Sequence, residues 1–176
     1  MKHPFALLPL LLALSLAPTQ VVSAQQAATQ SAATASSLDL LGANGEHVSI
    51  SAAELQSLPR QTVTVHNPHT KADETYQGVE LSLLLERIGA PLGAKLRGKA
   101  LAIYVVAEGT DRYRAIYSLA EVDPAFHSGT VIVADRENGQ PIAKDGPFKM
   151  VNTEDKRPAR WVRNLASIRL VATPTR

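Results

Sequence analysis

The sequence predicts an α+β fold: a single β-rich, mixed domain with short helices inserted between strands. Three observations carry that prediction. Short runs rich in β-branched and apolar residues recur between Gly, Pro and Asn-Gly turn signals, only one segment has sustained helical periodicity, and residues 38–173 are enough for one core of ordinary size.

The first element lies at Leu38 to Leu41, which pairs with His47 to Ile50 across Ala43-Asn44-Gly45-Glu46; Asn-Gly suits the positive-φ positions of a tight turn. Ser51-Ala52-Ala53-Glu54 matches a capping box and opens a short helix that Pro59 stops. Gln61 to Val65 alternates and reads as a strand. Asn67 to Gln77 (NPHTKADETYQ) is polar throughout and reads as a long loop. Val79, Leu81, Leu84, Leu85 and Ile88 follow at helical spacing, with Gly89 and Pro91 as the stop.

Leu101 to Ala107 (LAIYVVA) is a buried-type strand that returns as Arg112 to Tyr117 (RYRAIY) after Glu108-Gly109-Thr110-Asp111. Ser118-Leu119-Ala120-Glu121 repeats the capping box before a helix of one or two turns that Asp123-Pro124 closes. Thr130 to Ala134, Phe148 to Asn152 and Ala166 to Ala172 are the remaining strands, with a turn at Asn138-Gly139.

Ahead of the domain, residues 1–24 read as a removable export signal. Lys2 and His3 precede an apolar run from Phe5 to Ala17, and Val22-Ser23-Ala24 supplies the small residues a signal peptidase requires. That run is shorter than the roughly 20 residues of a membrane-spanning helix. The expectation is therefore a soluble protein delivered to the periplasm, not one that spans the membrane. Residues 25–37, all Ala, Gln, Ser and Thr, read as a flexible linker.

Charge and cysteine content narrow the chemistry. The chain has no cysteine, which removes thiolate-ligated metals, disulfides and a cysteine nucleophile. Its net charge of +2 is too small to suggest nucleic-acid binding, but the charge is uneven. Residues 25–143 carry 9 Lys/Arg against 13 Asp/Glu, and residues 144–176 carry 8 against 3. The basic end holds the single tryptophan, Trp161. Such a stretch suits an anionic ligand or acidic partner, or an edge strand protected by charge.

Several motifs occur in one order: Tyr76-Gln77-Gly78-Val79 before an apolar helix, the hairpin VVAEGTDRYRAIYSLAEV, Val133-Ala134 with Asn138-Gly139-Gln140-Pro141-Ile142, Gly146-Pro147-Phe148-Lys149-Met150-Val151, and Arg160-Trp161-Val162-Arg163. Over roughly residues 60–173 this order resembles the molybdopterin-binding domain of the sulfite oxidase superfamily. The resemblance implies a β-rich fold holding a pterin in a groove lined by loops. Catalytic members of that family hold molybdenum through a cysteine placed near the position of Val65-His66-Asn67. Lacking that thiolate, the chain looks like the small periplasmic branch that binds free pterins and signals to a membrane-bound cyclic-di-GMP enzyme. Molybdenum is not expected. The alternatives are a molybdopterin-dependent oxidoreductase with atypical ligation, His66 being a conceivable if poor substitute, or a ligand-free adaptor docking through its basic face.

A pterin needs a flat face to stack on and a donor–acceptor edge to pair with. Trp161 can supply the face, or it can cap the last strand as a core residue. If Arg160 to Arg163 is extended, Trp161 and Arg163 share one side. Asp111, Arg112, Tyr113 and Arg114 stand where the resemblance puts the polar hairpin beside the cofactor, or else form an exposed tip with cross-strand charge pairs. Strict alternation would separate Arg112 and Arg114 from Tyr113. His66 and Asn67 fall where the cysteine is missing, and with His69 they are candidate ligand contacts; an isolated H-x-x-H is weak as a metal motif. Lys149, with Lys156 and Arg157, can hold an anionic tail.

Overall fold

The computed structural model describes residues 37–173. The export-signal reading of residues 1–24 and the linker reading of residues 25–36 lie outside them. The linker's last residue, Ser37, instead begins the first strand.

Among the described residues ten strands form two sheets. Strands β1 (Ser37–Leu41), β2 (His47–Ser51), β5 (Tyr104–Gly109), β6 (Arg114–Ser118) and β10 (Leu165–Val171) make the first sheet, in the order β2-β1-β10-β5-β6. All its pairs are antiparallel except β1 with β10. The second sheet has the order β3 (Gln61–Asn67), β4 (Ala72–Glu80), β7 (Val131–Glu137) and β8 (Gln140–Pro141), with β9 (Lys149–Asn152) also paired to β7. Among the described residues three short α-helices are inserted: α1 (Ala52–Ser57), α2 (Leu81–Glu86) and α3 (Leu119–Val122). Among the described residues no helix is long and apolar enough to cross a membrane.

Local signals explain most of these elements. The capping box closes on α1, with the Glu54 amide donating to Ser51 Oγ at 3.2 Å and the Ser51 amide donating to Glu54 Oε2 at 2.8 Å. Ser118 Oγ accepts from the Glu121 amide and opens α3. Asn138 and Gly139, at φ +50° and +80°, make the tight turn between β7 and β8.

The structure corrects three boundaries. The polar stretch 67–77 is not a long loop: a short turn at 68–71 leads into β4, which occupies Ala72–Glu80 and takes Val79 from the expected helix. Residues Gly98–Ala102 form a 3₁₀ turn, so β5 starts at Tyr104 rather than Leu101. Arg112 sits at φ +66° in the hairpin turn, so the returning strand starts at Arg114.

The main core lies between the sheets. Leu38, Leu40, Val105 and Ile168 of the first sheet meet Val79, Val133 and Met150 of the second, with Leu81, Leu84 and Leu85 of α2 packed in; all are at most 0% exposed. The second sheet is buried on its other face too. There Val65, Tyr76, Ile132, Ala134, Ile142, Val151 and Trp161 form a smaller cluster. Burial on both faces is why β7 begins with the unbroken apolar run Val131 to Ala134. Tyr76 and Val79, three residues apart on β4, face opposite clusters, and between Gln77 and Gly78 the register shifts as the pairing skips Asp135 of β7. Only glycine fits there, since a Cβ on Gly78 would lie 2.1 Å from the Val133 carbonyl oxygen.

Candidate functional site

A cavity of about 390 Å³ opens beside the smaller cluster. Four chain segments wall it: the β3–β4 turn contributes Asn67 and His69, the β5–β6 hairpin Asp111 and Tyr113, the approach to β9 Asp145 and Lys149, and the segment before β10 Pro158, Ala159, Trp161 and Arg163.

Backbone interactions hold these segments in place. The Gly109 position lacks room for a side chain, since a Cβ would stand 2.7 Å from the Arg163 carbonyl oxygen. This close approach lets the Thr110 amide donate to the Asn164 carbonyl at 3.0 Å, and the Asn164 amide in turn donates to the Asp145 carbonyl at 2.6 Å. Tyr113 Oη donates to the Ala159 carbonyl and Tyr117 Oη to the Arg160 carbonyl, tying the hairpin to the 3₁₀ turn Pro158–Arg160. The Tyr113 amide donates to Asp111 Oδ1 at 3.0 Å, which fixes that carboxylate at the hairpin tip.

Lys149 is the central charge. It is 6% exposed, and its Nζ donates to Tyr76 Oη and to Asp145 Oδ2, each at 3.0 Å. It also lies 4.9 Å from the Tyr76 ring centroid and 6.0 Å from that of Trp161. Behind it, Tyr76 Oη donates to Glu74 Oε2 at 2.8 Å, with Glu137 Oε1 at 3.1 Å. Glu74 also accepts from Asn67 Nδ2 at 2.9 Å and Thr70 Oγ1 at 2.9 Å. Burial pushes the Glu74 carboxyl up, but the hydrogen bonds from Asn67, Tyr76 and Thr70 and the charge of Lys149 outweigh it and hold it below the ordinary range. Burial and the neighbouring Glu74 and Glu137 keep the Tyr76 phenol protonated.

Trp161 is 4% exposed and meets Tyr76 edge-on, centroids 6.0 Å apart at 81°. Its indole Nε1–H is buried without a hydrogen-bond partner. A buried unmade hydrogen bond is costly, and a ligand acceptor would relieve it.

Seven of the eleven residues singled out from the sequence therefore line one cavity: Asn67, His69, Asp111, Tyr113, Lys149, Trp161 and Arg163. Four do not. His66 points from the exposed edge strand to Asp73, 2.9 Å away. Arg112 is spent on the hairpin turn, and Arg114 projects from the other side of β6 to Glu108 at 2.7 Å. Arg160 turns to Glu121 and Asp155 and lies 4.8 Å from the Tyr117 ring, anchoring the wall from behind. The alternation argument thus separates Tyr113 from the flanking arginines and Trp161 and Arg163 from Arg160, although residues 158–160 are a 3₁₀ turn rather than strand. Trp161 satisfies both readings of it, as a member of the smaller cluster and as a cavity wall. Sequence reasoning missed Asp145, Pro158 and Ala159. Asp145 lies in Lys144-Asp145-Gly146-Pro147, a turn signal whose acidic residue stands out in the basic end.

The donor set does not fit thiolate-ligated molybdenum. The chain contains no cysteine, and the one imidazole at the matching strand end, His66, faces away from the cavity. Among the described residues no group of three or more His, Asp or Glu converges on a metal position.

No family model and no curated protein matches the chain. Among solved structures it is similar to the sulfane dehydrogenase SoxCD from Paracoccus pantotrophus, with a TM-score of 0.59 and 19% sequence identity, over 78% of this chain and 38% of that one. The fold is sulfite oxidase-like. The likeness concerns architecture alone, and this chain spans well under half the length of that protein.

Proposed function

We propose that this chain is a periplasmic, non-catalytic pterin-binding protein that relays pterin availability to a membrane-bound cyclic-di-GMP signalling enzyme. The observation that carries the binding part is Trp161: a buried indole with an unspent donor on the wall of a 390 Å³ cavity whose other polar groups include both signs of charge. A cavity of that size suits a small bicyclic ring. The charges facing it balance, Asp111 and Asp145 against Lys149 and Arg163, which favours a ring that is neutral overall and both gives and receives hydrogen bonds. Arg163, 62% exposed at the mouth, and His69 suit the polar tail that a pterin carries at its far end.

The relay and the periplasmic location rest on the sequence resemblance and the export-signal reading. A second reading, a molybdopterin-dependent oxidoreductase, is favoured by the structural likeness to a dehydrogenase. The test is mass spectrometry with metal analysis on protein purified gently from a periplasmic extract and then denatured. Release of a pterin without molybdenum supports the proposal. Near-stoichiometric molybdenum supports the oxidoreductase, and no released or bindable pterin overturns the binding role and favours an adaptor.

A further inference from the structure

Lys149 and Asp145 form a donor–acceptor doublet in the cavity wall. An ammonium has three N–H donors. Two of those on Lys149 go to Tyr76 Oη and Asp145 Oδ2, which leaves one, on a side chain that is buried yet lines the cavity. Asp145 has acceptor capacity left as well. Its Oδ2 takes Lys149, while Oδ1 meets Arg163 Nη1 only at 3.7 Å, beyond hydrogen-bond length. A strong donor and a strong acceptor held 3.0 Å apart complement a planar group that presents an acceptor beside a donor. The lactam edge of a ring, C=O next to N–H, is such a group. Both partners are charged, so each hydrogen bond is of the stronger kind.

Independently, Trp161 Nε1–H is a further buried donor without a partner at the same cavity. Two unspent donors, from Lys149 and Trp161, call for a ligand rich in acceptors on its inner edge.

We infer that Lys149 and Asp145 read the lactam edge of the bound ring, Lys149 donating to the C4 carbonyl and Asp145 accepting from N3–H. This rests on the pterin reading and adds selectivity to it: a 4-amino ring, which has a donor where the carbonyl stood and no hydrogen on N3, meets Lys149 with the wrong polarity.

The experiment titrates the full chain at pH 7.5 with three compounds, following the emission of Trp161, the chain's one tryptophan. Pterin and lumazine, both of which keep the 4-oxo lactam, are expected to bind with similar affinity. The 4-amino analogue 2,4-diaminopteridine is expected to bind about ten- to a hundredfold more weakly, as two mismatched charged hydrogen bonds require. Asp145→Asn should narrow that gap. The ratio measured on the unaltered chain decides the matter even if the variant does not fold. Equal binding of all three overturns the doublet and leaves the pterin reading standing. Lumazine as weak as the diamino compound also overturns it, because the 2-amino group and not the lactam is then read. If no pteridine binds, both readings fail.

Discussion

The two apolar clusters on either side of the second sheet are built to different standards. The main core is closed by apolar residues from both sheets and α2, and its one tyrosine, Tyr117, spends its hydroxyl on the Arg160 backbone carbonyl with its ring against the Arg160 guanidinium. The smaller cluster has few members, one of them a phenol bonded to carboxylates and a lysine, and one an indole with no partner for its N–H. The first contains little besides what holds the fold together. The second keeps buried polar groups that would be dispensable, or better replaced by apolar ones, if stability were their purpose. Polar groups held at that cost are what the binding role proposed above requires.

The comparison can be broken by substitution. Leu84→Ala, at a fully buried position of the main core, should cost about 2–5 kcal/mol in chemical denaturation, while any ligand affinity of the surviving folded protein stays the same. A loss of affinity matching the loss of stability would show that the two clusters are not separable. Gly109→Ala, which drives a methyl into the Arg163 carbonyl, should cost roughly 1–3 kcal/mol and displace a cavity wall, so here both stability and pteridine binding should fall.

Within the smaller cluster, Tyr76→Phe leaves Lys149 and Glu74 without their shared hydroxyl and should cost about 1–3 kcal/mol. Glu74 adds a pH signature. Its folded-state pKa lies below the ordinary value of about 4.3, so its stabilising contribution is complete above that value and is lost as pH falls through the lower folded one. Glu74→Gln should therefore flatten the acid side of the stability profile below about pH 4; an unchanged acid limb would show that Glu74 is not held in its charged form.

Trp161→Phe sharpens the contrast. It keeps an aromatic ring and removes an N–H that has no partner in the fold, so stability should fall by no more than about 1 kcal/mol while retention of a pterin drops clearly. The smallest effect belongs to Arg114→Ala. This arginine pairs with Glu108 on the exposed side of the hairpin, and its removal should leave both the unfolding midpoint and ligand binding unchanged within error.

Much of the fold was legible in the sequence because its signals are local. The capping box at Ser51, the Ser118 N-cap, the Asn138-Gly139 turn and the Leu81 to Ile88 spacing act within a few residues, although Glu121 turns to Arg160 and leaves the second capping box half formed. Strand β4 was not, because its inward positions include Glu74, whose partners Asn67, Thr70 and Tyr76 take the place of an apolar side chain. A buried carboxylate breaks the alternation that marks a strand. The site was half legible for a related reason. Alternation separated Tyr113 from its arginines, but nothing in the sequence tells that Lys149 is buried, since its partners Tyr76 and Asp145 reach it from different segments, one of them 73 residues away. The place of His66 at a strand end suggests the pocket, but alternation along β3 gives that face to Val65 and Asn67 and sends His66 to the other, where it meets its cross-strand partner Asp73.

The parallel pairing of β1 with β10 has a consequence for how the domain forms. The strand at the middle of the first sheet comes from the end of the domain, and until Leu165–Val171 arrives the β1–β2 and β5–β6 ribbons have no common neighbour. Two-stranded ribbons of that size are marginal in water. Closure therefore waits on contacts between the extremes of the described chain, a high contact-order arrangement that slows folding, and a chain emerging from a ribosome keeps this sheet open until Leu165–Val171 is free.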